Sequence, residues 1–213
     1  MLQTATVEKR TYELLKKLMK DEALSDFLLA GGTNLALQIG HRRSIDLDLF
    51  SYKSFDAQSL ERHLHKNYNF VTRRVFEVDT VMGYIDDIKI DIVAHIYPIL
   101  NPPFVEDGIR FYDLQDIACM KLVAISDNGS RLKDFVDIAY LSTKMSLIEM
   151  LTCYQKKYDR PNFYHAAKGL SYFDDIDFDT TIDLINNTFN WEKIEKRIRE
   201  MIKYENKVFE TIP

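Results

Sequence analysis

Between Ile45 and Phe50 the chain alternates strictly: Ile45, Leu47 and Leu49 are apolar, while Asp46 and Asp48 are acidic. Side chains two apart on a strand share a face, so this pattern predicts a strand with one buried side and one carboxylate-bearing side. The run from Ile88 to His95 repeats it, with Ile88, Ile90 and Ile92 on one face and Asp91 on the other. Before them, Leu14, Leu15 and Leu18 make one helical stripe within Val7 to Lys20, and Asp26 to Ala30 reads as a short buried strand ending at Gly31-Gly32. Thr33 to Ile39 then reads as a helix stopped by Gly40. A further helix is predicted near Asp56 to Lys66 and strands at Phe70 to Val78 and Thr80 to Ile85, with Asp86-Asp87 as the turn into Ile88 to His95.

From Asp113 onward almost everything reads helical, ending in a long helix with Asn190 as its N-cap ahead of Trp191. The pattern therefore divides the chain into a mixed α/β domain, residues 1–103, and a helical domain, residues 104–213. Asn101-Pro102-Pro103 marks the boundary, because prolines interrupt both the strand and the helix period.

Composition narrows the setting. A chain of 213 residues with 46% hydrophobic content can build a real core. Two cysteines, Cys119 and Cys153, cannot form a disulfide framework, which points to a reducing compartment. The opening MLQTATVEKR has no apolar run, and no stretch is long enough to cross a bilayer, so a cytoplasmic protein without membrane contact is expected. A net charge of −5 argues against a broad basic surface for nucleic acid but allows a local basic cleft. The acidic run Asp174 to Asp179 reads as a solvated loop.

Asp46 and Asp48 project together, and two carboxylates that close repel each other unless a cation lies between them. Hard oxygen donors suit Mg²⁺ or Mn²⁺, with substrate phosphates completing the shell. The competing reading is a strand with one wet face, against which the depletion of Asp in strands counts. If the Asp91 strand is a neighbour, three carboxylates meet on one surface, a set able to hold two divalent ions. Gly31-Gly32-Thr33 adds a turn where backbone N–H groups and a helix N-terminus favour phosphate, with Thr33 placed to offer its hydroxyl or cap the helix. No G-x-x-x-x-G-K-[ST] run is present, so this is not a P-loop. Arg42 reads equally as a phosphate clamp and as a surface residue beside Arg43.

GGT, then HRRSIDLDLF, then KIDIVAH resembles the DNA polymerase β-like nucleotidyltransferases. The HR-x-S-x-DLDLF context and the downstream MKLVAISDNGSRLKDFVDIAYL are similar, more narrowly, to the AbiEii/AbiGii toxins. The resemblance covers about Phe27 to Leu141; beyond it only helical character and the phrase SYFDD match. The superfamily often has Ser where this chain has Thr33, a change that keeps the hydroxyl. The resemblance implies metal ligation by Asp46, Asp48 and Asp91, and nucleotide binding by Gly31, Gly32 and Thr33, to which Arg42 is added as the candidate clamp from its place before the carboxylate strand.

Lys121 falls inside the apolar stripe of Asp113 to Ile125, where a lysine either snorkels to water or points into a cleft; the resemblance favours the cleft and contact with triphosphate oxygens. Ser130 is placed to cap the following helix. Asp134 can pair locally with Arg131, and the resemblance gives it a part in the site, orienting Lys121 or accepting a proton. Asp137 is expected on an exposed, salt-bridged face with Lys133. The helical domain is thus expected to add Lys121 and Asp134 to the catalytic set.

The implied activity is transfer of a nucleoside monophosphate from a nucleoside triphosphate, with Mg²⁺ or Mn²⁺, to an RNA such as tRNA or to a protein. The chain would be the toxin of an abortive-infection toxin–antitoxin pair, with a cognate antitoxin as partner. Rival readings are an enzyme that nucleotidylates a small molecule such as an antibiotic, a catalytically inactive binding module, and a plain structural α/β protein.

Overall fold

The structure, a computed structural model, describes residues 1–75 and 79–213. Two compact units make up the chain, Met1–Asp113 and Leu114–Pro213.

The first unit is a seven-stranded mixed sheet with helices. In chain order it comprises α1 (Lys9–Met19), β1 (Phe27–Ala30), α2 (Gly31–Ile39), β2 (Leu47–Ser51), α3 (Ala57–Asn67), β3 (Phe70–Val75), β4 (Thr80–Ile85), β5 (Ile88–Ala94), β6 (Phe104–Glu106) and β7 (Ile109–Phe111). The sheet order is β3-β4-β5-β2-β1-β7-β6. β2 runs parallel to β5 and antiparallel to β1, so the two carboxylate-bearing strands are neighbours in the middle of the sheet. Their apolar faces supply the core: Leu47, Leu49, Ile90 and Ile92 are essentially fully buried. Each such side chain contributes about 1.5–3 kcal/mol through burial, which fixes the alternation and hence the face on which the acids stand.

The expected elements lie close to the observed ones, with informative differences. Ile45 is outside β2 and more than half exposed, so the strand begins two residues later than the alternation suggests. The turn between β4 and β5 places Asp86 and Asp87 at positive φ, the geometry a two-residue hairpin requires. Of the expected strand Phe70 to Val78, residues 76–78 lie outside those described. The first unit extends to Asp113, ten residues past the expected limit of 103, because β6 and β7 form a hairpin that adds to the sheet through β7 and β1. Its turn is Asp107-Gly108, both at positive φ, and Asp107 is held by Tyr12 and Lys16 of α1. Arg110 on β7 donates to the carbonyls of Met19, Leu24 and Phe27, tying the ends of α1 and β1 to the sheet edge.

The second unit is helical: α4 (Leu114–Asp127), α5 (Leu132–Leu141), α6 (Leu147–Lys157), α7 (Tyr164–Leu170) and α8 (Trp191–Lys203). α4 is its central helix, buried continuously from Asp116 to Leu122 and packed on α5, α6 and α7. A helix covered nearly all round must settle its polar residues internally. It does so with two buried ion pairs. Lys157 of α6 donates to Asp116 at 2.6 Å with both side chains fully buried, and Lys121 meets α5 as described below. Asn190 caps α8 through the Lys193 N–H, as its position before Trp191 predicts. α5 has Arg131, not Ser130, at its N-cap position, and no side chain caps it.

Candidate active site

The parallel register sets Asp48 opposite Asp91, and the antiparallel register sets Ala30 opposite Asp48. One row across the sheet therefore runs from Met82 on β4 through Asp91 and Asp48 to the last residue of β1, directly before Gly31. Asp46 precedes β2, and its side chain is half-buried like those of Asp48 and Asp91. Its backbone is fixed by Thr33: the Thr33 hydroxyl donates to the Asp46 carbonyl and lies 2.8 Å from the Ser44 hydroxyl.

α2 begins at Gly31, two residues ahead of the predicted Thr33, with Ala30 at the N-cap and no side chain capping the helix. Thr33 is wholly buried and its hydroxyl is committed to the Ser44–Asp46 segment, so it acts on the carboxylate strand rather than as a cap. Gly31 has φ of 65°, and a Cβ there would overlap the Asp48 carboxylate. A Cβ on Gly32 would lie 2.5 Å from the Arg42 guanidinium. The two glycines therefore let one carboxylate and one cation close over the start of α2. Arg42 is 3% exposed, whereas Arg43 is exposed, which removes the surface reading of Arg42. Gly31→Ala is expected to displace Asp48, cutting activity by about a hundredfold or more and costing about 1–3 kcal/mol of stability through the left-handed backbone. Urea unfolding and single-turnover transfer check both effects; unchanged transfer would show that the contact is incidental.

Two cations at this face were not singled out from the sequence. Lys89 lies two residues before Asp91 on β5, and its ammonium donates to Asp91 Oδ2 at 2.7 Å. Burial opposes its charge, but the hydrogen bond and charge of Asp91, followed by the charges of Asp46 and Asp48, raise its pKa above that of an ordinary lysine. The period-2 rule places Lys89 beside Asp91 and would have found it. Arg73 sits where the β3–β4 register shifts, and its guanidinium comes within 3.7 Å of Asp91 Oδ1. Nothing in the sequence announces that bulge.

Among the described residues, no three Asp, Glu, His or Cys side chains converge closely enough to ligate one ion by themselves. The donor set nevertheless fits a hard divalent cation in kind. All three groups are carboxylates, and Asp91 Oδ1 is buried without a hydrogen bond, a cost that a ligand ion would relieve.

Lys121 and Asp134 lie in the second unit. Lys121 is 5% exposed, with its ammonium 2.6 Å from Asp134 and 2.7 Å from Asp137. Asp134 also takes Arg131 at 3.3 Å, the local pair predicted. Asp137, expected on an exposed face with Lys133, is instead fully buried and shares Lys121 with Asp134. Tertiary packing of α5 on α4 outweighs the local i,i+4 pairing from which the exposed face was inferred.

A mixed sheet with two central acidic strands beside a Gly-Gly helix start, followed by a helical unit, is the architecture of a polymerase β-like nucleotidyltransferase. JHP933 from Helicobacter pylori has a similar fold, with a TM-score of 0.56 at 19% identity, covering 94% of this chain and 93% of that one. An uncharacterized protein of Aquifex aeolicus (strain VF5), aq_aa25, is 36% identical over 203 residues, which is 92% of this chain and 96% of its own length. The family described as Nucleotidyl transferase AbiEii toxin, Type IV TA system, matches residues 13–203, and the chain belongs to that family. It is a nucleotidyltransferase. Among the described residues, no helix is long and apolar enough to cross a membrane.

Proposed function

We propose that the first unit transfers a nucleoside monophosphate from a nucleoside triphosphate to a hydroxyl of an RNA, tRNA being the leading class, and that this transfer is the toxic act. The observation that carries the reading is the register of Asp48 with Asp91 beside the Gly31-Gly32 start of α2. In the reaction, the acceptor oxygen bonds to the α-phosphorus, the bond to the β-phosphate oxygen breaks, pyrophosphate leaves, and the hydroxyl proton passes to solvent. The N–H groups of Gly31 and Gly32, with the Arg42 guanidinium over them, would hold triphosphate oxygens. Asp46, Asp48 and Asp91 would hold Mg²⁺ or Mn²⁺, which when bound neutralises phosphate charge and lowers the pKa of the attacking hydroxyl. Thr33 and Ser44 position Asp46 for that task. Of the basic residues beside the carboxylate strands, Arg42 is buried, which leaves Arg43 with solvent access for a polyanionic acceptor. The type IV toxin–antitoxin description of the family supports a separately encoded antitoxin as partner, and the enzyme would work in the cytoplasm.

The test is calorimetric. A non-hydrolysable nucleoside triphosphate is expected to bind at least about tenfold more tightly with Mg²⁺ than with EDTA, and Asp46→Ala/Asp48→Ala should abolish that difference. Equal metal dependence in the double variant would remove the carboxylates from the metal site.

A further inference from the structure

We propose that Lys89 is a built-in cation for the carboxylate face, offsetting one of its three charges before any divalent ion arrives and making capture of that ion conditional on a triphosphate. The inference rests on the metal-site reading above. Lys89 and Asp91 share a face of β5, with the ammonium 2.7 Å from Asp91 Oδ2. β2 and β5 pair Leu47 with Ile90 and Asp48 with Asp91, and the charges of Asp46 and Asp48 also act on the Lys89 ammonium. One ammonium thus stands on the face that carries the acids.

It does not saturate the row. Asp91 Oδ1 is buried without a hydrogen bond, and the Arg73 guanidinium lies 3.7 Å from it, beyond hydrogen-bond reach. Arg73 is about half exposed, while Lys89 is 31% exposed and hydrogen-bonded to Asp91. A divalent ion entering alone meets a like charge that is already in place, and that repulsion acts across a partly buried surface. A triphosphate changes the balance, because it brings enough negative charge to satisfy the ion and the ammonium together.

The experiment measures Mn²⁺ binding to nucleotide-free protein by calorimetry. Lys89→Met is expected to bind Mn²⁺ about tenfold or more tightly than wild type, and Lys89→Arg, which keeps the charge, to bind like wild type. A non-hydrolysable triphosphate should raise Mn²⁺ affinity more in wild type than in Lys89→Met. Melting of Lys89→Met should fall in EDTA and recover with Mn²⁺ more than wild type does. If Lys89→Met does not fold, Lys89→Gln, which removes the charge but keeps a polar side chain, takes its place in the same titrations. Mn²⁺ affinity in the charge-free variant equal to or below wild type overturns the proposal. If in that case Asp48→Asn still loses Mn²⁺ binding, only the role of Lys89 fails. If no variant and no wild-type protein binds Mn²⁺, the metal-site reading fails and this inference with it.

Discussion

Asp48→Asn is expected to lower nucleotidyl transfer by about a thousandfold or more while leaving the fold nearly as stable as wild type. The loss follows from removing a charged ligand at the point where phosphate charge must be neutralised. The small stability effect follows from the surroundings. Asp48 faces Asp91 across the β2–β5 pair, so one unit of like-charge repulsion disappears together with its attraction to Lys89. Asn has nearly the same shape, so the close approach to Gly31 is kept. Melting in EDTA should move by no more than about 3 °C. A fall much larger than that would mark Asp48 as a structural partner, and unchanged transfer would remove it from the chemistry.

Lys121→Met should behave in the opposite way, with a large loss of stability. Its ammonium is the shared counter-charge of Asp134 and Asp137, both fully buried. Removing it leaves two carboxylates in a low-dielectric interior, and breaking such a cluster costs about 3–5 kcal/mol. Lys121→Met combined with Asp134→Asn and Asp137→Leu should recover much of that, because replacing a whole buried cluster is far cheaper than halving it. Urea unfolding of the single and triple variants checks this. If Lys121→Met unfolds at the wild-type midpoint yet transfers nothing, the lysine is a functional group rather than a structural one. Relief of toxicity by Lys121→Ala would therefore be informative only alongside a stability measurement.

The carboxylate row was legible because both strands carry the same simple signal: an apolar period of two that fixes which face is buried, and acids on the other face. The register that joins them follows from a central β2–β5 pair, which the sequence suggests only as a condition. Ile45 fits the alternation but is exposed, since Thr33 draws the Asp46 carbonyl toward α2 before the ladder begins. Lys89 shares the periodicity of Asp91 and was open to the same reasoning. The β6–β7 hairpin was marked by Asp107-Gly108, a strong turn signal between strands too short to show a period. Arg73 was not legible, because a register shift depends on both strands. Nor were Asp116–Lys157 and Lys121–Asp137, which pair residues on different helices that sequence spacing does not connect.

The most direct measurement is to incubate purified protein with α-³²P-labelled nucleoside triphosphates, Mg²⁺ and total cellular RNA and protein. The expected result is label on RNA with wild type, none with Asp48→Asn, and a growth defect in cells that follows the same order. Label on neither fraction, with Asp46→Ala as toxic as wild type, would contradict transfer as the toxic act.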